Sequence, residues 1–258
     1  MSDTLSYLDA PPHLSGSPEK IAYKMSSGQG PAIIWCGGLK SDIEGSKAIH
    51  LHKWANSHSQ TFIRFDYFGH GESSGLYGEG TISRWGQDVV TVMDRLAPEG
   101  DILLVGSSMG GWASMLAARA RPERVKALLL IAPAPDFTEK LMWANWPANI
   151  RQTIMTEGVY FAPSDYDEPY EYRRALIEDG RDHQLLDEPF KFEGPVRILQ
   201  GGKDDVVPPE YSKQLINIIT SQDMSYTLVK SGDHSLSSPP DLYRLELTLS
   251  ELCQTLSQ

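Results

Sequence analysis

Residues 102–112 read ILLVGSSMGGW and combine a short strand, a sharp turn and the start of a helix. The apolar run predicts a buried strand, and the alanine-rich sequence after Gly110 predicts a helix. Between them lies the pattern G-x-S-x-G, formed by Gly106, Ser108 and Gly110. A serine on such a turn projects its hydroxyl from the end of a sheet, and glycine at the flanking positions avoids clashes. The pattern predicts Ser108 as a nucleophile; Ser107 lacks the flanking glycines.

Similar strand and helix signals alternate along much of the chain. Short apolar runs bounded by Gly, Asp or Pro predict strands at residues 32–36, 62–65, 102–105, 127–131, 196–199 and 226–229. The clearest helix has an apolar stripe at three- and four-residue spacing, formed by Ile82, Trp85, Val89, Met93 and Leu96. This alternation predicts an α/β fold, with a mostly parallel central sheet and helices on both faces.

The alternation stops between about residues 136 and 193 and resumes at Val196. The intervening segment predicts helices and loops, without a convincing strand. An insertion of this kind is typical of a lid, so residues 1–258 are predicted to form a single domain with a lid at about 136–193. The lid is rich in aromatic residues, namely Trp143, Trp146, Tyr160, Phe161, Tyr166, Tyr170 and Tyr172. Trp143, Trp146 and Tyr160 are predicted to bind substrate.

A serine nucleophile needs a base, and the base needs an acid that orients it. The strand at 196–199 is followed by GGKDDVVP at 201–208, in which Asp204 has the spacing G-x-x-D-x-x-x-P. Asp204 is the predicted acid, and the neighbouring Asp205 remains the alternative. His234, in the loop after the last predicted strand, is the predicted base, because it is the one histidine that follows the acid in the chain.

Acyl transfer also requires N–H groups that bind the oxyanion of the tetrahedral intermediate. One predicted donor is the N–H of Met109, the residue after the nucleophile. The other is the N–H of Leu39, in the loop CGGLKSD at 36–42, with Gly38 as the alternative.

A second glycine turn, RFDYFGHGESS at 64–74, lacks the lysine and the following helix of a phosphate-binding loop. Asp66 and its glycines are predicted to be structural, and His70 is predicted to be a turn residue.

Composition limits the remaining possibilities. The chain has 258 residues and a net charge of −11, which disfavours binding to nucleic acid or to an anionic membrane surface. Its two cysteines, Cys36 and Cys253, form neither a disulfide framework nor a zinc motif, which favours a reducing, cytoplasmic setting. The N-terminal sequence lacks the signs of a secretory or mitochondrial leader, and no apolar run reaches the ~18 residues of a membrane span.

Several motifs narrow the interpretation: GSSMGGW at 106–112, RFDY-x-G-x-G-x-S at 64–73, GSKA at 45–48, G-x-K-D-D-x-V-P at 201–208 and GDH at 232–234. With these motifs the chain resembles the α/β-hydrolase superfamily over nearly its whole length, and within it the family of abhydrolase domain-containing protein 10 and its bacterial relatives. Those enzymes are described as acyl-glucuronide esterases and palmitoyl-protein thioesterases. The resemblance implies an α/β-hydrolase fold and an esterase or thioesterase acting on acyl substrates. Gly37 departs from the family, which more often has proline there.

The predicted function is therefore a serine hydrolase that cleaves carboxylic esters or thioesters of a small molecule or an acylated protein. The reaction requires no metal or organic cofactor. A peptidase or a carbon–carbon bond hydrolase with the same triad remains an alternative, because function follows the site and not the fold. A non-catalytic binding protein that keeps the scaffold is another, although the intact order of serine, acid and histidine counts against it. The sequence leaves the oligomeric state open.

Overall fold

The computed structural model describes residues 4–10, 19–163 and 169–257. The strands are β1 Ser6–Ala10, β2 Glu19–Ser26, β3 Gln29–Cys36, β4 Gln60–Phe65, β5 Ile102–Ser107, β6 Val125–Ile131, β7 Val159–Ala162, β8 Tyr170–Arg173, β9 Val196–Gly201 and β10 Met224–Val229. The α-helices are α1 Ser46–Ser57, α2 Ile82–Leu96, α3 Met109–Ala120, α4 Ala148–Glu157, α5 Arg174–Asp182, α6 Pro209–Ser212, α7 Leu215–Ile218 and α8 Pro239–Leu256. A 3₁₀ turn covers Tyr77–Glu79, and a π-helix covers Thr138–Trp143.

Eight of the strands form one sheet in the order β1-β2-β4-β3-β5-β6-β9-β10. Pairing is antiparallel between β1 and β2 and between β2 and β4, and parallel from β4 through to β10. The carboxyl ends of β3, β5, β6, β9 and β10 therefore meet at one edge of the sheet. Open parallel sheets bind their ligands at this edge.

Side chains of the central strand β5 alternate between the two faces of the sheet, as the period of a strand requires. Ile102 and Leu104 lie in the buried cluster that includes α2 and α3, whereas Leu103 and Val105 lie in the cluster that includes α1 and α8. Helices thus cover both faces, which explains why β5 reads as a continuous apolar run. The predicted fold class is confirmed.

All six predicted strands are present, each extended at one end by two or three residues. Strands β1 and β2 were not predicted from the sequence. Strand β1 is short, and β2 mixes buried and half-exposed residues, so neither has the apolar run of a buried strand. Within the described residues, no helix has both the length and the apolar content needed to cross a membrane.

Between β6 and β9 the chain forms the π-helix, α4, β7, β8 and α5. Strands β7 and β8 pair with each other in an antiparallel sheet, so the prediction that this segment lacks strands is wrong. Each is only four residues long, with half-exposed or exposed side chains, and pairs outside the main sheet, so neither resembles a buried strand of a parallel sheet.

The start of this segment is tied to its end. The buried Asp136 carboxylate accepts hydrogen bonds from the main-chain N–H groups of Leu185 and Leu186, at 2.8 and 2.9 Å. Burial raises the pKa of Asp136, although the two N–H groups oppose the shift. The carboxylate therefore joins the start of this segment to residues about fifty positions later in the chain.

Candidate active site

Ser108 lies on the turn between β5 and α3, with a strained backbone conformation of φ 54° and ψ −119°. A Cβ atom at Gly106 would lie 2.5 Å from the carbonyl oxygen of Gly110. At Gly110 it would lie 2.1 Å from the carbonyl oxygen of Cys36, at the end of β3. The two glycines are thus required by different neighbours, the first by the turn itself and the second by the adjacent strand.

Three side chains from separate loops lie in a row beyond the carboxyl ends of the strands. His234 Nδ1 lies 2.8 Å from Asp204 Oδ2, and His234 Nε2 lies 3.2 Å from Ser108 Oγ. A carboxylate only accepts hydrogen bonds, so Nδ1 carries the proton and the lone pair of Nε2 faces the serine hydroxyl. Asp205, the alternative acid, is exposed to solvent. The structure brings together all three residues predicted from the sequence.

The Asp204 side chain is completely buried and hydrogen-bonded at both oxygens. Oδ1 accepts from the N–H groups of Val206 and Val207, at 3.0 and 2.8 Å, and Oδ2 accepts from Gln200 Nε2 at 3.0 Å as well as from His234. These donors compensate for the burial of the carboxylate and fix its orientation. The Asp204 carboxylate is therefore held in place before any substrate binds.

The residues of both predicted oxyanion donors line the same cavity as Ser108. Met109 is the first residue of α3, where helix geometry leaves its N–H without an intrahelical acceptor. A Cβ on Gly38 would lie 3.4 Å from Ser108 Cβ, so the loop after β3 approaches the nucleophile closely. The Gly38 carbonyl accepts from the N–H and the Oγ of Ser41, at 3.1 and 2.7 Å. In a planar trans peptide, this leaves the Leu39 N–H pointing away from those bonds.

A cavity of about 570 Å³ opens at Ser108 and His234. Gly38, Leu39 and Met109 also line it. The rest of its apolar lining comes from the segment after β6 and from the loop after β9, namely Ala134, Phe137, Leu141, Met142, Tyr170, Tyr172, Val206 and Val207. Such a volume and lining are typical of a site for a small apolar ligand.

Trp143, Trp146 and Tyr160, the aromatic residues predicted to bind substrate, lie outside the lining of this cavity as the described residues form it. The Trp146 ring centroid lies 5.6 Å from that of Tyr172 and 6.2 Å from that of Tyr160. These rings therefore pack behind the lining residue Tyr172. Other residues of the same segment line the cavity. The sequence could not assign this inward face, because it depends on the register of the π-helix and the β7–β8 pair. Tyr166 lies outside the described residues.

Lys47 is a cavity residue that sequence reasoning missed. Its ammonium group donates to the Ser235 carbonyl, next to His234, and lies 3.4 Å from Ser237 Oγ. Burial lowers its pKa to about 8, and the nearby Asp233 opposes the shift. The motif GSKA at residues 45–48 contains this lysine, but nothing in the motif indicates that helix α1 begins beside the cavity.

Comparison with known proteins shows the family to which the chain belongs. The family described as serine aminopeptidase, S33, matches residues 33–169. Palmitoyl-protein thioesterase ABHD10 of Homo sapiens is 36% identical over 256 residues, covering 98% of this chain and 81% of the relative. The chain belongs to the α/β-hydrolase family. It is an enzyme of the esterase and thioesterase class.

Two solved structures of this α/β-hydrolase family superimpose over nearly the whole chain. A protein of Agrobacterium vitis S4 assigned as a hydrolase has 35% identity and a TM-score of 0.91, covering 97% of this chain and 98% of the other. Alpha/beta hydrolase domain-containing protein 10 from mouse has 35% identity and a TM-score of 0.88, covering 98% and 99%. The resemblance inferred from the motifs is confirmed.

The predicted cytoplasmic location is wrong. The thioesterases of Homo sapiens, Pongo abelii and Bos taurus that the chain resembles are described as mitochondrial. The prediction relied on the two unpaired cysteines, but unpaired thiols are compatible with any reducing compartment and do not single out the cytoplasm.

Proposed function

We propose that the α/β-hydrolase cleaves acyl esters or thioesters through a covalent acyl-enzyme on Ser108. His234 is the general base, and Asp204 orients it. The N–H groups of Leu39 and Met109 bind the oxyanion. The main support is the row of contacts from Asp204 through His234 to Ser108, at 2.8 and 3.2 Å, at the mouth of an apolar cavity.

In the first half of the reaction, Ser108 Oγ attacks the carbonyl carbon while its proton moves to His234 Nε2. The carbonyl oxygen becomes an oxyanion, which the two N–H groups stabilise. Collapse of this intermediate breaks the bond to the alcohol or thiol. The leaving group takes the proton from His234, and the acyl group stays on Ser108.

In the second half, a water molecule attacks the acyl-enzyme while His234 accepts its proton. The second tetrahedral intermediate collapses, the carboxylic acid leaves, and the proton returns from His234 to Ser108. Asp204 stays ionised throughout and stabilises the imidazolium that forms in each half.

The substrate class we propose is a thioester or ester of a long acyl chain. The mainly apolar side chains of the cavity suit an acyl group, and the relatives of this chain are palmitoyl-protein thioesterases. Residues 136–193 act as the lid of a single domain that spans residues 1–258. Support for this role comes from Phe137, Leu141, Met142, Tyr170 and Tyr172, which contribute one side of the cavity.

A series of p-nitrophenyl esters from acetyl to palmitoyl, run beside the matching acyl-CoA thioesters and a peptide amide, tests the proposal. A buried methylene contributes about 0.8 kcal/mol, or about fourfold in kcat/KM. We expect kcat/KM to rise with chain length by up to that factor per methylene and to level off when the cavity is filled. Turnover of the amide with no turnover of ester or thioester would contradict the proposal.

Ser108→Ala should lower kcat by more than about 10³-fold and abolish labelling by a fluorophosphonate, because Ser108 Oγ is the hydroxyl that faces His234 Nε2. Ser107→Ala is the matched control, since it removes the neighbouring hydroxyl, and it should still be labelled. Full activity in a folded Ser108→Ala protein would reject Ser108 as the nucleophile.

A further inference from the structure

His70 lies in the glycine turn after β4, between Gly69 and Gly71, which both have positive φ angles. The residue is only 4% exposed. Its ring is met edge-on by three aromatic rings, with centroid distances of 5.8, 5.6 and 5.5 Å to Tyr67, Tyr77 and Trp85. Because the ring is enclosed on several sides, its orientation is set by packing before any hydrogen bond is considered.

Both ring nitrogens of His70 are hydrogen-bonded to the main chain. Nδ1 lies 3.1 Å from the Phe68 carbonyl oxygen, and Nε2 lies 3.0 Å from the main-chain nitrogen of Lys40. A carbonyl accepts, so Nδ1 carries the proton; the Lys40 N–H donates, so Nε2 offers its lone pair. This arrangement requires a neutral ring with the proton on Nδ1.

Lys40 directly follows Leu39, the proposed oxyanion donor, and has a left-handed backbone with φ 58°. The loop after β3 is held at two points. Ser41 binds the Gly38 carbonyl on one side, and His70 binds the Lys40 N–H on the other. The peptide between Gly38 and Leu39, which carries the oxyanion donor, therefore lies between two fixed hydrogen bonds.

We propose that His70 is a positioning residue for the oxyanion hole: by accepting the Lys40 N–H through Nε2, it holds the 38–41 loop in the strained turn that aims the Leu39 N–H at the substrate oxygen. It touches neither the substrate nor Ser108. The inference rests on the proposed function. It assigns a role in catalysis to a residue that the sequence pattern identified as part of a turn.

The surroundings of His70 favour the neutral form of its imidazole ring. Burial lowers its pKa, and the charge of Lys40 acts in the same direction, although the Phe68 carbonyl opposes the shift. The other titratable groups facing the ring are the phenols of Tyr67 and Tyr77, and burial raises the pKa of both, so they stay uncharged. A protonated ring would carry hydrogens on both nitrogens and would turn an N–H toward the Lys40 N–H.

His70→Phe tests the role, because it keeps an aromatic ring and removes the acceptor. We expect kcat for an acyl ester to fall at least about tenfold, short of the ~10²–10³ that loss of an oxyanion donor costs, with KM within about twofold. Binding of a trifluoromethyl ketone, which forms a tetrahedral adduct, should weaken by a similar factor, whereas binding of the carboxylic acid product should not change. His70→Gln, whose carbonyl can reach the Lys40 N–H, should recover part of the loss.

Tyr77→Phe is the matched control, since it alters the same aromatic cage without touching the main-chain bond, and it should keep kcat. Equal losses in Tyr77→Phe and His70→Phe, or a loss confined to KM, would overturn the inference. Should His70→Phe not fold, ¹⁵N NMR of the native protein decides: a neutral ring with the proton on Nδ1 at pH 7 supports the role, and a proton on Nε2 refutes it. Ser108→Ala, assayed in parallel, separates this inference from the proposed function, because an inactive Ser108→Ala with an unaffected His70→Phe overturns only the role of His70.

Discussion

Replacement of Asp204 by asparagine is the sharpest test of how the site works, because the surroundings of the side chain dictate how the new amide must sit. The N–H groups of Val206 and Val207 both point at one carboxylate oxygen. The amide oxygen of asparagine must take that position, since the opposite orientation would set its NH₂ group against two main-chain N–H groups, which cannot give up their hydrogens as His234 Nδ1 can. The NH₂ group then faces His234 Nδ1 and Gln200 Nε2, where Asp204 Oδ2 now lies.

The consequence follows from the tautomer of the histidine. An NH₂ group donates to Nδ1, which moves the ring proton to Nε2, and Nε2 can then no longer accept the proton of Ser108. In the serine protease template the same substitution lowers kcat by about 10⁴-fold, which corresponds to about 5.4 kcal/mol. We expect a similar loss here, because the carboxylate is completely buried and no water can take its place.

The assay is kcat for a p-nitrophenyl ester, with the rate of fluorophosphonate labelling as a second readout and thermal unfolding as a check on folding. Asp205→Asn is the matched control, since Asp205 is exposed and adjacent, and it should keep near-normal activity. A loss below about tenfold in a folded Asp204→Asn protein would refute the proposed role of Asp204. An equal loss in Asp205→Asn would refute it as well.

Three further perturbations have outcomes that the structure predicts. Gly110→Ala would place a Cβ 2.1 Å from the Cys36 carbonyl oxygen, so urea unfolding should show a loss of about 3 kcal/mol or more in the free energy of unfolding. Asp136→Ala should leave two buried N–H groups at residues 185–186 unpaired, lower stability by roughly 2–4 kcal/mol and speed proteolysis within 136–193. Burial lowers the pKa of Lys47 to about 8 in the folded protein, from 10.5 for an exposed lysine. Between pH 8 and 10.5 the unfolded chain therefore binds more protons at this residue than the folded protein does. Stability should therefore rise with pH across that window, and Lys47→Met should lose the rise.

Each of these perturbations has a control in the same chain. Gly86→Ala, in the middle of α2, adds a carbon that meets Leu116 at 3.4 Å and should leave stability unchanged or slightly raised. Asp187→Ala removes an exposed carboxylate close to Asp136 in the structure. Its ion pair with Lys140 lies at the surface and contributes little, so proteolysis should stay near the native rate. Lys53→Met removes an exposed lysine and should keep the stability rise between pH 8 and 10.5. Stability changes that match between a variant and its control would contradict the corresponding mechanism.

Local sequence patterns sufficed wherever a residue interacts with its neighbours in the chain. The apolar run of β5, the glycines around Ser108 and the stripe of α2 are local signals, and each lies where it was predicted. Chain order, which the fold constrains, was enough to select His234. The spacing in 201–208 pointed to Asp204, whose carboxylate is the one that reaches the imidazole.

Contacts between distant segments were decided only by the tertiary structure. The inward face of residues 136–193, the position of Lys47 in the cavity and the bond from Lys40 to His70 all depend on elements that are far apart in sequence. No local period reports such contacts, because they depend on how strands pair and on which face of each helix packs inward. The sequence by itself therefore determined the scaffold and pointed to the three side chains that meet on it, whereas packing between remote segments determined the shape of the cavity and the hydrogen bonds of the 38–41 loop.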